Sequence, residues 1–128
     1  MTATTALPSP AITAEGAPFW AAANEGRLLL RRCLDTGRAF HPPRDHSPFS
    51  GSPRVDWIEA SGDASLYAFS YSQRDSQSHC LAYVTLAEGP TLLTAVQVDD
   101  AQQLRIGQPL RVRFVASQNG QQVPVFAP

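Results

Sequence analysis

Two short apolar runs flank a tight turn: Leu81-Ala82-Tyr83-Val84-Thr85-Leu86, then Glu88-Gly89-Pro90, then Leu92-Leu93-Thr94-Ala95-Val96-Gln97-Val98. Each run is too short for a self-sustaining helix, and the Gly-Pro punctuation between them reads as a connection between two strands. The same rhythm continues in both directions. Upstream, Ala64–Ser72 alternates with period two, placing Tyr67, Phe69 and Tyr71 on one face, and Val55–Ala60 is a further candidate strand. Downstream, Asp99–Leu104 reads as one or two helical turns with an aspartate N-cap. Leu110–Val115 is the next strand, Asn119-Gly120 a hairpin turn, and Val123–Phe126 the last strand. No helical period persists beyond about ten residues. Evenly spaced short strands with one interposed helical turn indicate a small closed β-barrel, and an OB-like barrel fits the size and rhythm. The face opposite the aromatics, Leu66, Ala68, Ser70 and Ser72, is small and partly polar, so the aromatic face is expected to be the core.

The region before the barrel has a different texture. The opening Thr, Ala and Pro residues have little to bury, and residues 1–17 read as a flexible arm. Pro18 to Gly26 reads as a short helix, with proline in the first turn, three alanines inside and glycine at its end. Such a helix is unstable alone and must dock through Phe19 and Trp20. Arg27–Cys33 reads as a strand, Asp35-Thr36-Gly37 as a turn, and Arg38–His41 as a returning strand. Pro42-Pro43 ends the pairing, and Pro42–Pro53 reads as a loop. The chain therefore divides into an arm (1–17), a helix with a hairpin (18–53) and a barrel (54–128).

The 128 residues and 13.8 kDa suffice for one core, and 43% hydrophobic content is incompatible with wholesale disorder. No stretch approaches the roughly 20 apolar residues of a membrane span. The first residues lack the basic and apolar regions of a secretory signal. Cys33 and Cys80 form no disulfide framework, which fits reduced thiols in a cytoplasmic protein. A net charge of −1 argues against a general nucleic-acid binder. All ten basic residues are arginine, so lysine Schiff-base chemistry is excluded. Arg27, Arg31, Arg32, Arg38, Arg44 and Arg54 crowd one segment that holds only Asp35 and Asp45 as acids, which implies a local anion site or an acidic partner. No phosphate-binding glycine loop is present. His79 and Cys80 are adjacent on a strand and point to opposite faces, while Cys33 and His41 face each other only across the hairpin. No self-sufficient catalytic set is expected.

Taken in order, Pro18-Phe19-Trp20, Arg32-Cys33, Pro42-Pro43-Arg44, Leu104-Arg105-Ile106-Gly107 and Pro124-Val125-Phe126-Ala127-Pro128 resemble a bacterial and archaeal family. It is long catalogued as domain of unknown function thirty-five, and the resemblance covers Pro18 to Pro128. It implies an N-terminal helix, a rubredoxin-like zinc ribbon and an OB-fold barrel. The family's ribbon reads Cys-x-x-Cys-Gly, then Pro-Pro-Arg-x-x-Cys-Pro-x-Cys, whose four thiolates hold zinc. The matching positions here are Cys33, Thr36, Ser47 and Ser50. Hydroxyls stay protonated near neutral pH and are poor zinc ligands, so no zinc or other cofactor is expected. The nearby Cys33, Asp35, His41 and His46 have ligand chemistry but no standard spacing. Without metal the hairpin must rely on Leu28, Leu30, Phe40 and Phe49, or on a partner surface.

The resemblance further implies a non-catalytic accessory subunit that binds and supports a thiolase-like or other acyl-CoA-processing enzyme. Arg31, Arg32, Arg38 and Arg44 would then meet either the phosphates of acyl-CoA, which arginine forks suit, or carboxylates of the partner. Phe19 and Trp20 would anchor the partner or seal the chain's own barrel. An OB barrel equally admits a different class of function, the binding of single-stranded nucleic acid.

Overall fold

The computed structural model describes residues 7–74 and 77–128. Helix α1 spans Ala17–Asn24, with Pro18 in its first turn. It ends where the Glu25 N–H turns back to the Ala22 carbonyl and the Gly26 N–H to the Ala23 carbonyl, with Gly26 at φ 76°. Phe19, Ala22 and Ala23 form its buried face. The helix docks on the barrel through one polar clamp. Asn24 Oδ1 accepts from Gln122 N at 2.9 Å and from Gln121 Nε2 at 3.0 Å, and Gln121 Nε2 also lies 2.9 Å from the Trp20 carbonyl.

Three strands follow: β1 (Leu29–Cys33), β2 (Ala39–Phe40) and β3 (Val55–Glu59). They form an antiparallel sheet of order β2-β1-β3. Read by rhythm alone, Val55–Ala60 belongs with the barrel. It instead pairs along all of β1, from Leu29↔Glu59 to Cys33↔Val55. Sequence rhythm reports that a strand exists and not which neighbour it takes. Strand β2 pairs with only two residues of β1, so the rest of β1 gains its ladder from β3. Leu28, Leu30 and Phe40 are buried, and Phe49 packs edge-on to Phe40 at 6.1 Å.

The barrel comprises β4 (Asp63–Arg74), β5 (Gln77–Leu86), β6 (Thr91–Ala95), β7 (Pro109–Ala116) and β8 (Gln122–Ala127). The order β6-β5-β4-β7-β8 is antiparallel throughout, and a parallel bridge between Val96 and Phe126 brings the two ends together. This is a nearly closed five-stranded OB barrel. Side chains alternate as a half-buried sheet requires: Cys80, Ala82, Val84 and Leu86 point in, and so do Leu92, Thr94 and Val96. A 3₁₀ turn, Ala101–Gln103, joins β6 to β7, with the Asp100 carboxylate accepting from Gln102 N as its cap.

The barrel is not fully closed. Beyond the Val96–Phe126 bridge and Gln97 N to Phe126 O at 2.8 Å, no ladder pairs β6 with β8 among the described residues. Pro124 has no N–H to offer across the gap, and the Thr94 hydroxyl donates to its carbonyl at 3.5 Å.

One further expectation is corrected. The aromatic row of β4 does not form one buried face. The register slips between Leu66 and Ala68, so Tyr67 is a bulge residue turned outward and 64% exposed. Beyond the bulge Phe69 stands opposite Ala82 and packs on the core, while Tyr71, opposite Cys80, is 42% exposed. The described part of the N-terminal arm makes hydrogen bonds to the β7–β8 turn. Gln118 N donates to Leu7 O at 3.0 Å, Asn119 N donates to Ser9 Oγ at 2.9 Å, and the Ser9 and Ser117 hydroxyls lie 3.0 Å apart. Residues 1–6 and the His79 side chain lie outside the described residues.

Candidate functional site

The hairpin turn after β1 brings Cys33, Thr36, Ser47 and Ser50 together. Cys33 N donates to Arg38 O at 2.8 Å and Gly37 N to Cys33 O at 2.7 Å, which folds the chain around the sulfur. Gly37 has φ 75°, and an added Cβ would meet open space, so its role is backbone freedom alone. Ser47 is buried, and its Oγ accepts from Phe49 N at 3.0 Å and Ser50 N at 3.2 Å. Ser50 Oγ lies 3.7 Å from the Cys33 sulfur and donates to Asp35 at 2.9 Å. Burial alone would push the Cys33 thiol up. Hydrogen bonds from the Ser47, Thr36 and Ser50 side chains and the Thr36 backbone outweigh it and bring the thiol to about 6. Zinc does not fit this set, because one thiol and three alcohols cannot supply the anionic donors it needs. Among the described residues no group of three or more His, Cys, Asp and Glu is placed to hold a metal, so Cys33, Asp35, His41 and His46 do not assemble into one.

The four arginines are not gathered into one cluster. Arg31 is 8% exposed and works inside the sheet. Its guanidinium lies 4.2 Å from the Trp57 ring centroid, donates to the carbonyls of Asp56 and Val55 at 3.3 and 3.4 Å, and meets Asp45 at 3.4 Å. Arg32 forks onto Asp56, its cross-strand neighbour, at 3.2 and 2.7 Å. Arg38 and Arg44 are exposed. Arg38 lies over the Phe49 ring at 3.8 Å on the rim of a polar cleft of about 450 Å³ that also includes His41 and Glu88. Arg44 stands at the edge of a second, mostly apolar groove, 3.8 Å from Glu15.

That groove, about 720 Å³, lies along the open seam between β6 and β8. Leu7, Pro8 and Pro10 of the N-terminal strap, Trp20 of α1, Leu93 of β6 and Pro124 of β8 contribute to its walls. Phe19 and Trp20 have different fates. Phe19 is 4% exposed, is part of the core, and meets Trp20 edge-on at 4.8 Å, while Trp20 is only partly buried. Next to the groove the outer face of the sheet is apolar, with Leu93 directly opposite Tyr83 and both about half exposed or more. His41 lines both depressions. Burial, with a smaller contribution from the positive charge of Arg44, lowers its imidazole to about 4, so it is neutral near pH 7.

Sequence reasoning did not find the strap, the seam, or Glu88, whose Oε2 accepts from Ser61 N at 2.9 Å. The strap has no periodicity to read, and the seam arises from pairing between strands far apart in the chain. The lone proline in the last strand was the available signal for an unpaired edge.

Two family models match consecutive stretches of this chain: the ChsH2 rubredoxin-like zinc ribbon domain over residues 20–56 and the ChsH2 C-terminal OB-fold domain over residues 57–115. The chain is 29% identical over 126 residues to the probable enoyl-CoA hydratase alpha subunit of Thermomonospora curvata. That match takes in 94% of this chain and 40% of the relative, so the chain spans well under half of that protein's length. Among solved structures, a chain of the Ltp2–ChsH2(DUF35) aldolase superposes with a TM-score of 0.83 and 28% identity, over 94% of this chain and 98% of that one. A DUF35 protein of unknown function from Sulfolobus solfataricus shares the fold, with a TM-score of 0.63 and 16% identity over 82% and 80% of the two chains.

Proposed function

Because the chain belongs to the ChsH2-type DUF35 family, with ribbon and OB-fold matches running back to back over residues 20–115, we propose that it is a non-catalytic accessory subunit of an acyl-CoA-processing enzyme. The observation that carries this reading is the near end-to-end likeness to a chain of an aldolase named for two components, Ltp2 and ChsH2. The relative named as a hydratase subunit points to the same area of metabolism.

The finer reading is a thiolase-like partner. Its docking surface would be the seam groove with Trp20 and the outer apolar face at Leu93 and Tyr83, which are concave or apolar and partly exposed. Arg38 and Arg44 are the arginines available to a phosphate or carboxylate, because Arg31 and Arg32 are engaged within the sheet. The proposal places the protein in the cytoplasm. Among the described residues no helix is long and apolar enough to cross a membrane.

Affinity purification of the tagged chain from its native host tests the reading. A thiolase-like or other acyl-CoA enzyme is expected to co-elute in a fixed ratio, and Arg38→Ala with Arg44→Ala is expected to weaken acyl-CoA binding by the complex. A chain that elutes alone and gives no calorimetric signal with acyl-CoA contradicts it.

One observation favours a second reading. Tyr67, Tyr71 and Tyr83 are exposed on the barrel, and outward aromatics of OB folds stack on single-stranded bases. Such binding would weaken steeply with salt. The net charge of −1 opposes it, and a mobility-shift assay with oligonucleotides at low salt is expected to show no complex.

A further inference from the structure

The ribbon match is to a zinc-binding domain, yet the cage around Cys33 has the donor chemistry of a hydrogen-bonded cluster. Each hydroxyl has one proton to give. Ser47 Oγ accepts from two backbone N–H groups, at Phe49 and Ser50, and so ties its own turn together. Thr36 Oγ1 accepts from Arg38 N at 3.3 Å in the other turn. Ser50 Oγ gives its proton to Asp35 and lies 3.7 Å from the Cys33 sulfur, the contact that joins the two turns. Asp35 in turn meets Arg54 at 2.9 Å. The four positions thus stay gathered, each hydroxyl has a partner, and Cys33 is completely buried with its sulfur against Ser50.

We propose that this hydroxyl cage around the Cys33 sulfur has replaced the metal of the ribbon, holding the two turns of residues 33–37 and 47–51 together without zinc while keeping them in the arrangement of a metal site. The two turns are drawn to a common centre in either case. In a zinc ribbon the cation does this by binding thiolates. Here the Cys33–Ser50 contact and the N–H···O bonds to Ser47 do it. The buried Leu28, Leu30 and Phe40 supply the apolar support. Stability of this region is therefore uncoupled from metal supply, unlike that of small domains whose folding free energy is metal binding.

The test uses the full chain, expressed in medium with added zinc. The wild type is expected to carry zinc far below one ion per chain, and its melting temperature to be unmoved by a chelator. The triple variant Thr36→Cys, Ser47→Cys, Ser50→Cys is expected to bind one zinc per chain. It should show the intense visible bands of tetrahedral cobalt–thiolate when loaded with Co(II), and lose thermal stability on chelation. Stoichiometric zinc on the wild type, or its destabilisation by chelator, overturns the replacement. A folded triple variant that binds no metal overturns the retained arrangement. Should that variant fail to fold, Ser47→Ala decides by hydrogen exchange. Faster exchange at Gly37, Phe49 and Ser50 with unchanged barrel amides supports the cage, and unchanged exchange at all of them overturns it.

Discussion

Arg31 and Arg44 show how two residues of one type, close in sequence, take on different work. Arg31 is enclosed by Trp57, two backbone carbonyls and Asp45. Arg31→Ala removes the stacking and the guanidinium's bonds to those carbonyls and to Asp45, which should destabilise the chain by about 2–3 kcal/mol in urea unfolding. Arg44→Ala, at an exposed position, should lie within about 0.5 kcal/mol of wild type. Both belong to the arginine-rich segment that composition marks out. What composition does not convey is that Trp57, 26 positions beyond Arg31, comes to face it across a sheet. His41 makes a pH-dependent prediction. Its folded value of about 4 lies below its ordinary 6.5, so the unfolded chain binds the proton more tightly. Stability should therefore be intact above pH 6.5 and fall as pH drops from there toward 4. Thermal melts across this range should show that slope in the wild type and a flatter one in His41→Phe.

At the level of elements, most strands were legible from period-two alternation, and α1 from its proline, alanines and terminal glycine. The departures have a common physical origin in contacts between distant segments. Strand β3 was legible as a strand, but its partner β1 was not, because pairing choice depends on which edge is left open. The bulge at Tyr67 changed which aromatics point inward, and a single extra residue leaves no mark on the alternation of residue types. That Cys33, Thr36, Ser47 and Ser50 occupy matching positions was implied by the resemblance to the family's ribbon, whereas the hydrogen bonds around them were not. Gly62 is the connection where tolerance is lowest. Its φ is 90°, its carbonyl accepts from Val112 N at 2.9 Å, and an added Cβ would sit 2.6 Å from Val112 Cγ1. Val112 is β-branched and stiff, so Gly62→Ala should cost about 1–3 kcal/mol, read as a lowered urea midpoint. The Asn24 clamp joins α1 to the β7–β8 hairpin, and Asn24→Ala should cost about 1–2 kcal/mol by the same assay.

At the scale of the whole molecule, a seam lies between β6 and β8 of the barrel, and the strap of residues 7–13 runs beside it. An accessory subunit needs a surface that is stable alone and still able to bury apolar area against a partner. The Leu93 side chain is 60% exposed on that surface and contributes little to the core. Leu93→Arg should therefore leave the melting temperature within a few degrees of wild type while weakening the partner complex at least about tenfold, the loss expected at an interface hot spot. The most direct test of the accessory role is to purify the partner acyl-CoA enzyme with and without this chain, and to measure mass and turnover for both. The account predicts one complex of fixed composition, with turnover that falls when this chain is omitted or carries Leu93→Arg. Two species that elute separately, with the enzyme at full rate alone, would contradict it.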